Sequence, residues 1–225
     1  MTCAILICRP QPGADATAKR VRAMGMEAIL YPLFTVAPLA WEPPEPKLFD
    51  AVMFTSANAL RHGGQMLERY HRLPAFAVGR ATAEVAEAAG FDIVSDGGSD
   101  VQALVNKIYS ANYKNILHLC GADVRAYDAR GLHIRKTPVY RTTQAGDAIG
   151  LAEALHAAQV LLAHSPRAGE RLATLTTMEQ RRACALLAIS QAALQACGNG
   201  WRATHIAETP DDASMLALAW QICQR

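Results

Sequence analysis

The chain has 225 residues, of which 51% are hydrophobic and 19% charged, enough to bury a sizeable core in one or two globular domains. The formal net charge is +2, and no run of Lys or Arg with interleaved aromatic residues occurs, which argues against nucleic acid as a partner. The apolar run within MTCAILICRPQPG is too short for a secretory signal or a membrane span, so we expect a cytoplasmic protein without membrane contact.

The cysteines lie inside or beside apolar runs and form no C-x-x-C pair, so we expect reduced core thiols and no metal site. They are Cys3, Cys8, Cys120, Cys184, Cys197 and Cys223.

The first section, up to residue 36, predicts a strand over 4–8, a helix over 14–24 that Gly25 ends, and a strand over 27–31. Residues 33–39 are extended and apolar. The prolines of WEPPEPK that follow fit neither a helix nor a central strand, so they predict a surface connection.

The middle section, from residue 49, alternates strands and helices. Strands are predicted over 51–55, 75–78, 93–94, 115–119 and 132–136. Helices are predicted over 58–70, 81–89 and 101–109, the last capped by Ser99 or Asp100, and a short further helix ends at Gly131. Residues 137–142 form a second extended crossing.

The third section reopens the pattern. Its predicted strands are 159–163, 184–189 and 203–207. One predicted helix begins at Arg167, and two others cover 192–197 and 212–222. AVMFTSANAL at 51–60 and VLLAHSPRAGERL at 160–172 share one design, an apolar strand that ends in Ser before a helix. We call the place where such a strand ends and a helix begins a joint. Joints recur at a spacing of about 110 residues, which indicates an old duplication.

The predicted fold class is therefore α/β with two similar lobes, each a parallel five-stranded sheet flanked by helices, joined by a two-stranded hinge. Residues 1–36 and 142–225 form a split lobe, and residues 37–141 form an inserted lobe.

Both lobes are expected to turn the carboxyl ends of their strands toward a shared cleft, where helix N-termini present free N–H groups. The residues at these joints are rich in hydroxyls, glycine and arginine and almost devoid of carboxylates, which suits a polyanionic small molecule. They are Thr55, Ser56, Asn58, Gly79, Arg80, Ala81, Thr82, Gly97, Gly98, Ser99, Gly121 and Ala122 on the inserted lobe, and Arg9, Pro10, His164, Ser165, Arg167, Ser190, Gln191, Thr209 and Asp211 on the split lobe.

Seven segments, taken in order, resemble the uroporphyrinogen-III synthase family. They read FDAVMFTSANAL, AVGRATAEVAEAAGF, ILHLCGADVR, TPVYRT, LLAHSPRAG, AISQAALQA and TPDDASMLAL. The resemblance implies an enzyme, a lyase of tetrapyrrole and heme biosynthesis that closes hydroxymethylbilane with inversion of its terminal ring, through an azafulvene and a spiro intermediate. It implies no metal and no organic cofactor, transient contact with hydroxymethylbilane synthase, and a monomer.

The resemblance also implies roles for single residues. Tyr140 matches the family's hinge tyrosine and is the catalytic candidate. The implied substrate-binding residues are Thr55, Ser56, Asn58, Gly79, Arg80, Thr82, Gly121, Arg125, Ser165 and Ser190. The chain departs from the family pattern at Ser190-Gln191-Ala192-Ala193, where many relatives carry a threonine, and no role of that threonine is transferred. His118 and His164 are left outside the catalytic set.

Structural roles for these residues remain open. The serines and Asp211 are suited to helix capping, the glycines to tight turns, and Tyr140 to packing. No G-x-S-x-G, P-loop or G-x-G-x-x-G motif occurs, which argues against hydrolase, NTPase and dinucleotide-binding functions. An alternative function is that of a hinged two-lobe binding or sensor protein that holds an anionic small molecule without catalysis.

Overall fold

A computed structural model describes residues 2–96 and 100–224. It divides into two compact units, one made of the residues up to Thr35 together with those from Thr143 on, the other of Val36–Thr142. The predicted joint residues Gly97, Gly98 and Ser99 lie outside the described residues. In the described part of the chain, no helix is long and apolar enough to cross a membrane.

The first unit is built on a parallel sheet whose described strands lie in the order β11-β10-β9-β1-β2. These strands are β1 (Ala4–Ile7), β2 (Glu27–Leu30), β9 (Val160–Ala163), β10 (Ala185–Ala188) and β11 (Ala203–Ile206). Its helices are α1 (Gly13–Ala23), α5 (Ala148–Ala157), α6 (Pro166–Leu175), α7 (Met178–Arg181), α8 (Gln191–Ala196) and α9 (Asp212–Cys223).

The central strands of this sheet are apolar along their whole length because both faces are covered. Alternate residues of β1 enter two separate cores: Leu6 packs with Leu161 and Leu186 on one face, whereas Ile5 packs with Val160 on the other. Short strands of continuous apolar sequence therefore suffice to place the strand ends.

The second unit contains a six-stranded sheet in the order β3-β8-β7-β4-β5-β6. Its strands are β3 (Phe34–Pro38), β4 (Ala51–Phe54), β5 (Ala75–Ala77), β6 (Ile93–Ser95), β7 (Asn115–Gly121) and β8 (His133–Gln144). Its helices are α2 (Ala57–His62), α3 (Arg80–Ala88) and α4 (Val101–Ser110).

The α/β fold class is confirmed, with one difference in strand number. The strands from β8 to β6 form the expected parallel set of five, and β3 adds a sixth. Backbone bonds from Leu39 to Val139 and from Ala145 to Leu33 run in the antiparallel sense, so this sheet is mixed. Each passage of the chain between the units lies within a strand, β3 or β8.

Three predicted elements of the second unit were wrong. The helix expected over 58–70 stops at His62, and Gly64, at a φ of 67°, leads into a 3₁₀ segment, Gln65–Tyr70. The short helix expected to end at Gly131 is absent from the described chain, which is irregular after Gly121. The strand over 132–136 and the crossing over 137–142 are one continuous strand, β8.

Two helices of the first unit, α5 and α7, were not predicted. Helix α5 begins at the cap Asp147, and α7 is a single turn that begins with a capping box formed by Thr177 and Gln180.

The expectation of six reduced cysteines was also wrong. Cys3 and Cys223 form a disulfide with a Cα–Cα distance of 5.7 Å, whereas the other four are buried thiols.

The joints that recur along the sequence have the same structural role in both units. Ser56 and Ser165 cap α2 and α6 with their side chains, and Asp100 and Asp211 cap α4 and α9. In each case a strand ends at the carboxyl edge of its sheet and a helix begins there.

Candidate functional site

A cavity of about 350 Å³ lies at the carboxyl edge of the six-stranded sheet. Strands β4, β5 and β7 end here, α4 begins here, and β8 passes beside it, so their parallel arrangement gathers side chains from distant parts of the sequence. The lining residues are Thr55, Ser56, Val78, Asp100, Val101, Gly121, Asp123, Val124, Arg125, Tyr127 and Tyr140.

Tyr140 forms one wall of the cavity. It is half-buried on β8, where it lies opposite Gly121 of β7, and its backbone carbonyl accepts a hydrogen bond of 2.8 Å from the N–H of Ala122. A Cβ atom at position 121 would come within 2.8 Å of the tyrosine Cζ, so the ring lies directly against the glycine. Only glycine allows this close approach.

Burial raises the pKa of Tyr140, and a hydrogen bond with the side chain of Ser56 opposes that shift without cancelling it. The phenol therefore keeps its proton at neutral pH. Ser56 also accepts a hydrogen bond of 3.2 Å from the N–H of Asn58, so one hydroxyl both caps α2 and contacts Tyr140. The His62 ring lies 6.2 Å from that of Tyr140, centroid to centroid.

Two of the lining residues, Thr55 and Tyr127, are hydrogen-bonded to a buried histidine that is not itself part of the lining. The Nε2 atom of His118 lies 3.0 Å from the Thr55 hydroxyl, and its Nδ1 atom lies 3.0 Å from the Tyr127 hydroxyl. His118 itself is fully buried. Burial first, and then the positive charge of Lys136, lower the pKa of His118 to about 4, so its imidazole is neutral near pH 7.

Sequence reasoning left out His118 and did not single out Tyr127. A signal was present for the histidine, because it interrupts the otherwise apolar stretch of β7 between Leu117 and Leu119. A polar side chain inside a buried parallel strand needs a hydrogen-bond partner, and here the partners line a cavity.

The charges around the cavity are of both signs. Asp100 and Asp123 line it together with Arg125, so the expectation of a surface almost devoid of carboxylates was wrong for this cavity. The Asp100 carboxylate accepts a hydrogen bond of 2.8 Å from the N–H of Ala103 as the cap of α4.

Five predicted site residues thus come together in the cavity lining: Thr55, Ser56, Gly121, Arg125 and Tyr140. Four others of the second unit lie outside that lining: Asn58, Gly79, Arg80 and Thr82.

The side chain of Arg80 is 87% exposed and pairs with Glu84 at 2.8 Å along α3. Thr82 is buried in the same helix, and Gly79, with a φ of 74°, begins it.

The predicted residues of the first unit, Ser165 and Ser190, both serve as helix caps. Their hydroxyls accept hydrogen bonds of 3.2 Å from the N–H of Ala168 and 3.3 Å from the N–H of Ala193.

The first unit also holds a charged cluster around Asp212, a residue that sequence reasoning did not single out, although it placed Arg9 and His164 at the ends of strands. Asp212, in the first turn of α9, accepts hydrogen bonds from His164 at 3.0 Å, Thr17 at 3.0 Å and Arg20 at 2.7 Å, and Arg9 lies 3.4 Å away. Burial favours the neutral acid, but the bonds from His164 and Thr17 outweigh it and lower the pKa of Asp212. Burial lowers the pKa of His164, so a neutral imidazole donates to a carboxylate.

In residues 2–96 and 100–224, no group of three or more His, Cys, Asp or Glu side chains is placed to hold a metal ion.

The family model described as uroporphyrinogen-III synthase HemD matches residues 15–217. The search of curated proteins gave no match.

Among solved structures, the uroporphyrinogen-III synthetase of Helicobacter pylori has 17% sequence identity and a TM-score of 0.69, with 99% of this chain and 100% of that chain covered. A mutant uroporphyrinogen III synthase of the extremely thermophilic bacterium Thermus thermophilus has 16% identity and a TM-score of 0.62, with 99% of each chain covered. At these identities the structures establish a shared fold, and the family model establishes the relationship. Neither the family model nor these two structures points to a binding or sensor protein. The chain therefore belongs to the uroporphyrinogen-III synthase family.

Proposed function

We propose that this chain is a lyase that converts hydroxymethylbilane to uroporphyrinogen III in heme biosynthesis. Membership of the family supports the reaction. The observation that carries the proposed site is the phenol of Tyr140, protonated and placed with Ser56 in the wall of a cavity large enough to admit part of a tetrapyrrole. No cofactor takes part in the proposed chemistry.

The reaction begins with departure of the terminal hydroxyl of the substrate. Tyr140 donates its phenolic proton to that oxygen as the carbon–oxygen bond breaks, so that water leaves, and the phenol regains a proton when the final ring closure releases one. An azafulvene cation remains. Because its raised pKa keeps the phenol protonated, Tyr140 can act as a donor throughout the neutral pH range.

Ring inversion follows without further groups from the protein. The substituted carbon of the last pyrrole attacks the cation and gives a spiro intermediate. That intermediate fragments to give an azafulvene again. The free α-carbon of the last pyrrole then attacks it and closes the macrocycle with loss of one proton. The overall change is loss of one water. The protein contributes by folding the substrate so that simple closure is excluded, and positioning of this kind can lower a reaction barrier by about 7–11 kcal/mol.

The carboxylates of the substrate require donors. In the cavity, Arg125 and the hydroxyl of Thr55 are available, and Gly121 permits close approach of a ligand to the backbone. Asp100 and Asp123 repel carboxylates and so restrict where these groups settle. We retain Asn58, Gly79, Arg80, Thr82, Ser165 and Ser190 as proposed substrate contacts, because they lie at or near helix N-termini.

The test is product identity. Hydroxymethylbilane is generated in place by its synthase, and the oxidised products are separated into type I and type III isomers. We expect type III to dominate when the protein is present. A ratio equal to that without protein would refute the proposed function.

Tyr140→Phe tests the catalytic assignment. We expect turnover to fall by about tenfold to a thousandfold because a donor to the leaving group is lost, while the thermal midpoint stays close to that of the parent. Tyr113→Phe, which alters a tyrosine packed on Phe76 outside the cavity lining, is the matched control. Equal turnover of the two variants would remove Tyr140 from the mechanism.

We further propose that the protein acts as a monomer in the cytoplasm and receives its unstable substrate in transient contact with hydroxymethylbilane synthase. Light scattering measures the mass of the protein in solution. Trapping of free hydroxymethylbilane in a coupled reaction measures how much substrate escapes between the two enzymes. A stable dimer, or complete escape of the substrate, would contradict these proposals.

A further inference from the structure

Two hydroxyls of the cavity share one buried imidazole. Thr55 follows β4 and Tyr127 lies in the irregular segment after β7, and both line the cavity. His118 bridges them, with its Nε2 atom 3.0 Å from the Thr55 hydroxyl and its Nδ1 atom 3.0 Å from the Tyr127 hydroxyl.

The bridge is held in place on both sides. His118 is fully buried in β7, where it lies opposite Met53 of β4. The Lys136 ammonium lies 4.7 Å from the centre of the Tyr127 ring. Next to Tyr127, the side chain of Gln102 bonds the N–H of Asp128 at 2.9 Å and its carbonyl at 3.1 Å, which fixes the segment to α4. The three groups therefore keep their spacing.

A neutral imidazole has one N–H donor and one acceptor nitrogen, and this limits what the two hydroxyls can do. If Nε2 carries the proton, it donates to Thr55, and Tyr127 donates its own proton to Nδ1. If Nδ1 carries the proton, it donates to Tyr127, and Thr55 donates to Nε2. In each tautomer one hydroxyl uses its proton on the histidine and the other keeps its proton.

We infer that His118 is a positioning residue that leaves one of the hydroxyls of Thr55 and Tyr127, and never both, free to donate to an acceptor oxygen of the substrate. The acceptor is a carboxylate of the tetrapyrrole, so this inference rests on the proposed function. Of these two hydroxyls, either one can supply the free donor, and the position of the proton on Nε2 or Nδ1 of His118 decides which.

The inference predicts the tautomer in two isosteric variants. In Tyr127→Phe, Nδ1 has lost its partner, and because a buried N–H is rarely left unpaired, the proton should reside on Nε2. In Thr55→Val the proton should reside on Nδ1 for the same reason. Two-bond nitrogen–proton correlation spectra of the free protein distinguish these tautomers and require no substrate. The same tautomer in both variants, or a charged imidazole at pH 7, would overturn the inference.

In substrate binding, we expect either of the two hydroxyls to replace the other. Each single variant still offers one free donor, so KM for hydroxymethylbilane should rise by only about two- to threefold. The double variant offers none, and its KM should rise by about tenfold or more beyond the product of the single effects, as expected for loss of a hydrogen bond to a charged group. Tyr113→Phe should move neither the tautomer nor KM.

Effects on KM that simply multiply would show that the hydroxyls act independently and would reject the inference. A wrong proposed function would give a different result. The parent protein would then form no excess of the type III isomer, while the tautomers of the two variants would still differ.

Discussion

The contact between Gly121 and Tyr140 makes Gly121→Ala a sharp perturbation of the cavity. The new Cβ atom would lie 2.8 Å from Cζ, 2.9 Å from Cε2 and 3.0 Å from the hydroxyl oxygen of Tyr140. Carbon atoms prefer a separation of about 3.5–4.0 Å, so the ring must retreat by about 0.7 Å or more. The φ of Gly121 is not positive, and alanine is therefore compatible with the backbone there.

The displacement should be expressed in both stability and turnover. Forcing one extra carbon into a packed position costs about 1–3 kcal/mol, which for a chain of this size lowers the thermal midpoint by about 2–12 °C. A catalytic group misplaced by about 1 Å costs on the order of a hundredfold in rate. We therefore expect a folded protein whose formation of uroporphyrinogen III falls by about tenfold to a hundredfold.

The assay combines thermal denaturation with the rate of type III formation, and a double-mutant cycle identifies the clash. In a Tyr140→Ala background the ring is gone, so adding Gly121→Ala should cost almost no further stability. An equal loss of stability from Gly121→Ala in both backgrounds, or unchanged turnover of Gly121→Ala in the parent, would contradict a clash with the Tyr140 ring.

Three further predictions concern stability. The unfolded chain binds a proton at His118 near pH 6.5, whereas the folded protein binds it only near pH 4. His118 should therefore remove up to about 3 kcal/mol of stability as pH falls through that window. Burial lowers the pKa of His62 and His164 as well, so denaturant titrations should show a shallower slope in His118→Phe than in the parent, and equal slopes would contradict this prediction. Arg181 is buried and donates hydrogen bonds to the hydroxyl and carbonyl of Thr176 and to two further carbonyls. Arg181→Met should therefore lower the free energy of unfolding by about 3–5 kcal/mol, and Arg182→Met, at its exposed neighbour, by about 0.5 kcal/mol or less. Equal thermal midpoints of the two variants would contradict this prediction. The Cys3–Cys223 bond joins residues that are 220 apart in sequence, so reduction or Cys3→Ser should destabilise the protein by about 2–5 kcal/mol. A melting curve that does not change with reductant would contradict this prediction.

Much of the architecture could be predicted because strand ends and helix starts depend on local chemistry. An apolar run followed by Ser56, Ser165 or Asp211 specifies a strand, a turn and a capped helix within about ten residues. The errors arise where distant residues decide. The segment after Gly121 has helical composition, but Gln102 on α4 bonds both backbone groups of Asp128, and the chain follows that contact instead.

The candidate site was only partly visible for the same reason. Ser56 and Gly121 occupy joints that a reader of the sequence can recognise, and the fold brings them to one cavity. The pairing of His118 with Thr55 and Tyr127 depends on contacts between β7, the residue that follows β4 and an irregular segment, and no local sequence pattern specifies such contacts. The disulfide could not be predicted because Cys3 and Cys223 show no diagnostic spacing and are brought together only by the fold.

The disulfide also gives the chain the connectivity of a closed ring. With Cys3 joined to Cys223, any single backbone cut between them leaves one covalent molecule. A protease that nicks an exposed loop, such as the one at Gly64, would change the mass by one water and release no fragment until a reductant is added. Two cuts would be needed to free a piece. Gel electrophoresis with and without reductant would therefore report the state of this one bond in every nicked molecule.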